Sequence, residues 1–291
     1  MFKFDVTEYN SLSKDQYIEE RRLLQIEFLK LQKWAITNKK KIAVVFEGRD
    51  AAGKTDTINL LARHLIPDHF RYVHLGIPSE GESKKWFKRY EKHMPNEGEI
   101  VFFDRSWYTR ATVEITMGYC SNKQYANFMK KVIPWEKEYI DDGLILIKFY
   151  LSIQKLQQNK RFNERKTDPL KTWKLSANDL KIAEKWDIFS FFKDQMFKLT
   201  STDKAPWVII NANNKMVARL SALRYLLNEI DYDNKKLSKP TTWEGKINLK
   251  NSKYQNDKSP LDKKCILRGL NKYSKSYLNH LIKSNEMMAS M

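Results

Sequence analysis

The stretch Ile42-Ala-Val-Val-Phe-Glu-Gly48-Arg-Asp-Ala-Ala-Gly53-Lys54-Thr55 decides the fold. It opens with a short apolar, β-branched run and passes into a glycine-bounded segment of the pattern G-x-x-x-x-G-K-[ST]. Ile58, Leu60, Leu61 and Leu65 then follow at helical spacing. The order is strand, glycine loop, helix. A chain leaving a buried strand must turn sharply to enter the helix, and glycines there let backbone N–H groups converge on phosphate oxygens at the positive helix end. Gly48, Arg49, Ala51, Ala52 and Gly53 are therefore the expected phosphate cradle. Lys54 adds a mobile positive charge, and Thr55 offers a hydroxyl to Mg2+.

Working outward, Phe70 to Leu75, Ile100 to Phe103, Leu144 to Leu151 and Trp207 to Ile210 are apolar runs too unbroken for half-exposed strands. Helical stretches at Ser83 to His93, Asn122 to Asp141 and Asn178 to Thr200 alternate with them. The expectation is an α/β, three-layer, doubly wound fold, a parallel sheet with helices on both faces. Ahead of it, Ser13-Lys-Asp-Gln16 fits a capping box, and Tyr17, Leu24, Phe28, Leu31 and Ala35 predict a long amphipathic helix ending near Asn38 to Lys41. That helix packs on the core or on a second subunit, so a homo-oligomer is expected. From Asp231 onward apolar periodicity fades and Lys, Asn and Ser dominate. The domain division is thus 1–230 for the core and 231–291 for a basic extension, with one short helix near Tyr273 to Ile282.

Composition narrows the partners. Lys and Arg number 53 against 35 for Asp and Glu, a net charge of +18 that favours a polyanion. Cys120 and Cys265 are the two cysteines and encode neither a disulfide framework nor a zinc site, so a cytoplasmic location is expected. No run approaches the roughly 18 apolar residues of a membrane span, so no membrane partner is expected. The five histidines show no metal spacing, and no G-x-S-x-G elbow occurs, which excludes metalloprotease and serine-hydrolase readings.

Ile100-Val-Phe-Phe-Asp104 carries a carboxylate out of an apolar run, the form of a Walker-B strand end. Its alternative is an N-cap for the helix starting near Trp107. After Asp104 the chain continues Arg105-Ser-Trp-Tyr-Thr-Arg110, so two arginines stand where a water-using motor puts a glutamate. Guanidinium groups suit bidentate phosphate contacts and charge spread over a phosphoryl in transit; ordinary surface ion pairs are the alternative. A third basic cluster spans Arg161 to Lys174 and includes Arg165, Lys166 and Lys171. It is read as a lid, about residues 152–185, that closes positive groups over phosphates; a solvated helix face is the alternative.

Phe46-Glu-Gly-Arg-Asp-Ala-Ala-Gly-Lys54 and Gly98-Glu-Ile-Val-Phe-Phe-Asp-Arg-Ser-Trp-Tyr108 together resemble polyphosphate kinase family 2. Asp168-Pro-Leu-Lys-Thr-Trp-Lys-Leu-Ser176 and Ala205-Pro-Trp207 resemble its later motifs, so the likeness runs from about Ser13 to Ile230. The resemblance implies a thymidylate-kinase-like fold and Mg2+-dependent, reversible phosphate transfer between inorganic polyphosphate and nucleoside mono- or diphosphates, making or using ATP and GTP. It implies that Asp50 and Asp104 orient metal-bridged phosphates and that Lys54, Arg105 and Arg110 contact the moving phosphoryl. Arg165, Lys166 and Lys174 fall to the lid, and Glu114 is left without a role. One departure is Thr55-Asp56 where the family often has glycines, which leaves open whether Thr55 or Asp50 is the closer metal ligand. Two other readings compete: an ATP-dependent nucleotide kinase of thymidylate-kinase type, and a nucleic-acid-binding protein with a regulatory P-loop. The aromatic residues sit mostly in apolar periodic segments, the pattern of a core, so no specific nucleic acid is expected.

Overall fold

The structure, a computed structural model, describes residues 3, 9 and 12–237. Most of the expected basic extension, including the helix near Tyr273 to Ile282, lies outside the described residues. Five strands form one sheet: β1 (Lys41–Gly48), β2 (Phe70–Val73), β3 (Ile100–Asp104), β4 (Leu144–Ser152) and β5 (Trp207–Asn211). All neighbours are parallel, in the order β2-β3-β1-β4-β5. Every apolar run expected to be a strand contains one, but β2 ends at Val73 and, as the sheet's edge, is half-exposed, with Tyr72 open to solvent. The loop-bearing β1 is central, so its residues 42–47 are all buried.

Alternation along β1 sends successive side chains to opposite layers. Ile42, Val44 and Phe46 join a core with α1 (Lys14–Thr37), α2 (Lys54–Ala62) and α10 (Lys215–Glu229). Ala43 and Val45 join a second core with residues of α4 (Trp86–Glu91), α6 (Asn122–Asp141) and α9 (Trp186–Thr200). The three-layer α/β architecture is therefore present. In α1 the Ser13 side chain accepts from Gln16 N–H while the Gln16 side chain accepts from Ser13 N–H, the reciprocal cap read from sequence.

Three helical readings change. The helix expected over Ser83 to His93 is two, α3 (Glu80–Lys84) and α4, because Ser79 caps an earlier start and the chain breaks at Lys85. Past that break the Trp86 indole donates to the Trp107 carbonyl at 2.9 Å. The helix expected over Asn178 to Thr200 likewise divides at Lys185 into α8 (Ala177–Glu184) and α9. The helix α10 was not anticipated: it is buried on nearly every side between sheet and α1, so its pattern carries little periodicity.

Between sheet and helices lies the buried ion pair of Lys148 and Glu136. Lys148 on β4, with no exposed side-chain surface, donates to Glu136 on α6 at 2.9 Å, to Tyr108 Oη at 3.1 Å and to the Thr200 carbonyl at 2.9 Å. The other Glu136 oxygen accepts from the Trp107 indole at 2.9 Å. At the sheet margin, Lys3 N–H donates to Trp207 O and Ile209 N–H donates to Lys3 O, so residue 3 pairs with the outer side of β5. Among the described residues no helix is long and apolar enough to cross a membrane.

Candidate active site

The loop after β1 begins at Gly48, whose φ of +144° favours glycine, and a Cβ there would come 2.5 Å from the Leu151 carbonyl of neighbouring β4. It ends at Gly53, φ +103°, from which α2 departs. A loop that aims its N–H groups inward must turn its carbonyls outward, and each of these needs a donor. Here each has one. Lys54 Nζ donates to Gly48 O at 2.9 Å and Arg49 O at 3.2 Å. Gln158, on α7 (Lys155–Thr167), donates to Asp50 O at 2.9 Å. Arg161, one turn further on, donates to Ala51 O at 2.8 Å and Ala52 O at 3.2 Å, and its other nitrogen donates to Ala212 O and Asn213 O. The Thr57 hydroxyl serves Gly53 O.

Opposite the loop, β3 delivers Asp104. Its carboxylate accepts from the Thr55 hydroxyl at 2.5 Å and from Tyr72 Oη at 2.8 Å, while its carbonyl lies 3.2 Å from His74 Nδ1. Asp104 is no helix cap: Ser106 caps the 3-10 turn Trp107–Ala111. Arg105 then adopts a left-handed φ of +67°, a strained backbone for a non-glycine residue. Two contacts hold it there. Arg105 N–H donates to Phe46 O at 3.0 Å, and Glu47 accepts from Ser106 N–H at 2.7 Å and from Ser106 Oγ at 2.8 Å. So held, the Arg105 guanidinium donates to the Asp50 carboxylate.

The electrostatics follow from burial and charge. Asp50 beside Arg105 raises the arginine further above its usual value, against a smaller opposing effect of burial. Burial, helped by the Arg105 charge, lowers the Lys54 pKa. Burial also raises Glu47, although Ser106 donates to it.

The structure thus brings together Asp50, Lys54, Thr55, Asp104 and Arg105. Arg49 is in the loop, but its guanidinium stacks 3.4 Å from the Trp186 ring centroid and donates to Ser190 Oγ at 2.7 Å. Arg110 is engaged elsewhere too. Only 1% exposed, it faces Glu114 at 3.1 Å, donates to Ser83 and lies 4.0 Å from the Trp86 ring. That contact also places Glu114, whose pKa burial raises. In the expected lid segment, Arg165 donates to Lys174 O at 2.8 Å, Lys171 pairs with Asp168 at 2.6 Å, Lys166 is exposed and Lys174 lies 3.9 Å from Asp56.

Sequence reading missed Glu47, Tyr72, Gln158 and the part Arg161 plays. Tyr72 and Gln158 show no local signal, since their partners are far along the chain. Glu47 did carry one: an acid at the end of an apolar strand, one residue before the loop.

A parallel sheet in this order, with a glycine loop and a strand-end aspartate facing one crevice at the carboxyl ends of β1 and β3, defines a P-loop kinase-like fold. The family model described as polyphosphate kinase 2 matches residues 11–238, and the chain belongs to that family. Among its relatives, the GDP-polyphosphate phosphotransferase of Mycolicibacterium smegmatis is 46% identical over 77% of this chain and 80% of that protein. The NDP-polyphosphate phosphotransferase 3 of Ruegeria pomeroyi is 42% identical over 77% of this chain and 75% of that protein. A crystal structure of a putative polyphosphate kinase 2 from Pseudomonas aeruginosa superposes with a TM-score of 0.71 at 33% identity, covering 76% of this chain and 48% of that one. This chain therefore spans about half the length of that structure. A second family model, described as queuine tRNA-ribosyltransferase, matches residues 213–291, which overlap the first match through residue 238 and otherwise fall outside the described residues.

Proposed function

We propose that this protein transfers phosphate reversibly between inorganic polyphosphate and nucleoside diphosphates, with nucleoside monophosphates as further candidate acceptors. The observation that carries the reading is the meeting of three groups in one crevice: the loop with Lys54, the Thr55–Asp104 pair, and Arg105 held on Asp50. The polyphosphate in the relatives' names and the net charge of +18 support a polyanionic substrate over ATP alone. The relatives do not favour a thymidylate-kinase-type enzyme or a nucleic-acid-binding protein.

Mg2+ fits the residues. A hydroxyl and a carboxylate 2.5 Å apart at the start of α2 are hard oxygen donors, the kind this ion takes. Among the described residues no cluster of three or more His, Cys, Asp or Glu could hold a metal alone, so the substrate phosphates would complete its shell. Thr55 and Asp104 are thus the nearer ligands in this proposal, and Asp50, engaged by Arg105, is the more remote. A Mg2+ held by Thr55 and Asp104 would supply positive charge to offset that of the phosphates.

The chain's own groups do the rest. Loop N–H groups and Lys54 hold the phosphate, and Arg105 stabilises charge on the phosphoryl as it moves. Arg110 would have to leave Glu114 to reach a phosphate. Segment 152–185 closes as a lid, bringing Arg165, Lys166, Lys171 and Lys174 over the substrate and excluding water. Self-association through α1, whose outer side carries exposed Ile18, Leu23 and Ile26, and a cytoplasmic location belong to the same reading; light scattering tests the first.

The deciding assay incubates the protein with Mg2+, polyphosphate and AMP, ADP or GDP, and in parallel with ATP as sole donor. Higher nucleotides should form from polyphosphate, and chelation should abolish them. No product from polyphosphate, with product from ATP, would overturn the proposal.

A further inference from the structure

A groove of about 480 Å³ runs along the outer side of α2, walled by α1 and by the start of α10. Asp56, Asn59 and Arg63 line it at helical spacing, and Arg21 and Arg219 face it from the neighbouring helices. Its near end is Asp56, one residue beyond Thr55, and the seven residues to Arg63 carry it about 10 Å away from the loop.

The charges in this groove are unbalanced. Asp56 lies 3.3 Å from Arg219, 3.8 Å from Lys215 and 3.9 Å from Lys174, so one carboxylate is shared among three cations. Further along, no carboxylate pairs with Arg21 or Arg63 among the described residues. Arg21 stacks 5.5 Å over the Tyr17 ring, and its Nε is buried without a hydrogen-bond partner. Guanidinium groups left without anions along an open channel are a site for a chain of phosphates. A nucleotide offers at most three phosphates in a row, and the loop is already placed to hold the reacting ones. Polyphosphate continues beyond them, and its remainder needs a path.

We propose that this groove is a second anion subsite, in which Arg21, Arg63 and Arg219 bind phosphates of the polyphosphate chain remote from the one transferred. The assignment rests on the polyphosphate reading above. Asp56, at the mouth, opposes entry of the chain while it holds Lys174, Lys215 and Arg219 in place, and incoming phosphates compete with it for those cations.

The test measures equilibrium binding of long-chain polyphosphate and of tripolyphosphate to the full chain, with turnover recorded alongside. Arg63 is exposed, so Arg63→Ala should fold normally. It should weaken long-chain binding about tenfold, the loss expected of one charge-assisted contact, and reduce the salt slope by about one. Tripolyphosphate and ADP affinities should stay at the wild-type level. Asp56→Asn should act in the opposite direction and tighten long-chain binding. Unchanged long-chain affinity in Arg63→Ala, or an equal loss for both chain lengths, would overturn the subsite. A wild type that turned over no polyphosphate would instead sink the functional reading, while the binding series would still judge the groove.

Discussion

Arg105 at the end of β3 donates across the crevice to the Asp50 carboxylate, so the strand that carries Asp104 and the loop that carries Lys54 are tied by a direct ion pair. The pair is made by one terminal guanidinium nitrogen reaching from a strained backbone position, a reach that the shorter lysine stem does not reproduce. Arg105→Lys should therefore lower kcat about a hundredfold, while circular dichroism shows an unchanged fold. Wild-type turnover in this variant would remove Arg105 from the chemistry.

Lys54→Ala and Asp104→Asn each delete a charge aimed at phosphate or at its metal. Either should cost about a hundredfold or more in turnover without unfolding the chain. Steady-state kinetics together with thermal melts check both; near-normal turnover in Lys54→Ala would mean that phosphate is held elsewhere.

Lys54 must be protonated to meet an anion, and burial together with Arg105 lowers its pKa below the ordinary 10.5. The ammonium is present below that lowered value and is lost as pH rises through it. The alkaline fall of kcat/KM should accordingly begin at lower pH than an ordinary lysine gives, and Lys54→Arg should move it upward. An alkaline limb at the same pH in both proteins would refute the assignment.

Arg161 serves four backbone carbonyls and is 4% exposed. Replacing it by alanine should destabilise the chain by about 3 kcal/mol, because the loop carbonyls lose their donors away from water. Turnover should fall along with the thermal midpoint, and Arg161→Lys should recover little, since one ammonium cannot span both loops. A calorimetric scan matching wild type would show that the loop keeps its shape unaided.

Glu136→Gln leaves the Lys148 charge buried and unpaired, at a cost of about 3–5 kcal/mol. Adding Lys148→Met should restore most of it while the Trp107 indole keeps an acceptor. Urea unfolding of the single and double variants measures this, and turnover per folded molecule should stay near wild type in both.

Much of this architecture was legible because its signals are local. The central strands β1 and β3 read as apolar runs since both faces of the sheet are covered there, and the Ser13 and Gly48 to Thr55 patterns state their backbone conformations directly. Lys85 and Lys185 show the limit. Each breaks a helix at an ordinary residue, and the break at Lys185 sets Trp186 where it can stack under Arg49. Arg110 shows another: its type and spacing pointed to phosphate, yet it pairs with Glu114 four residues on, and tertiary packing adds Ser83 and the Trp86 ring around it. Lys148 reads as a misplaced charge inside a strand until Glu136, on another element, is brought beside it.

The pairing of Lys3 with Trp207 and Ile209 has a practical meaning for handling the protein. Sheet margins are sticky templates, and here Lys3 acts as a selvedge on the outer side of β5. Displacing Lys3 would leave the backbone groups of Trp207 and Ile209 that it now pairs open to other chains in concentrated solution.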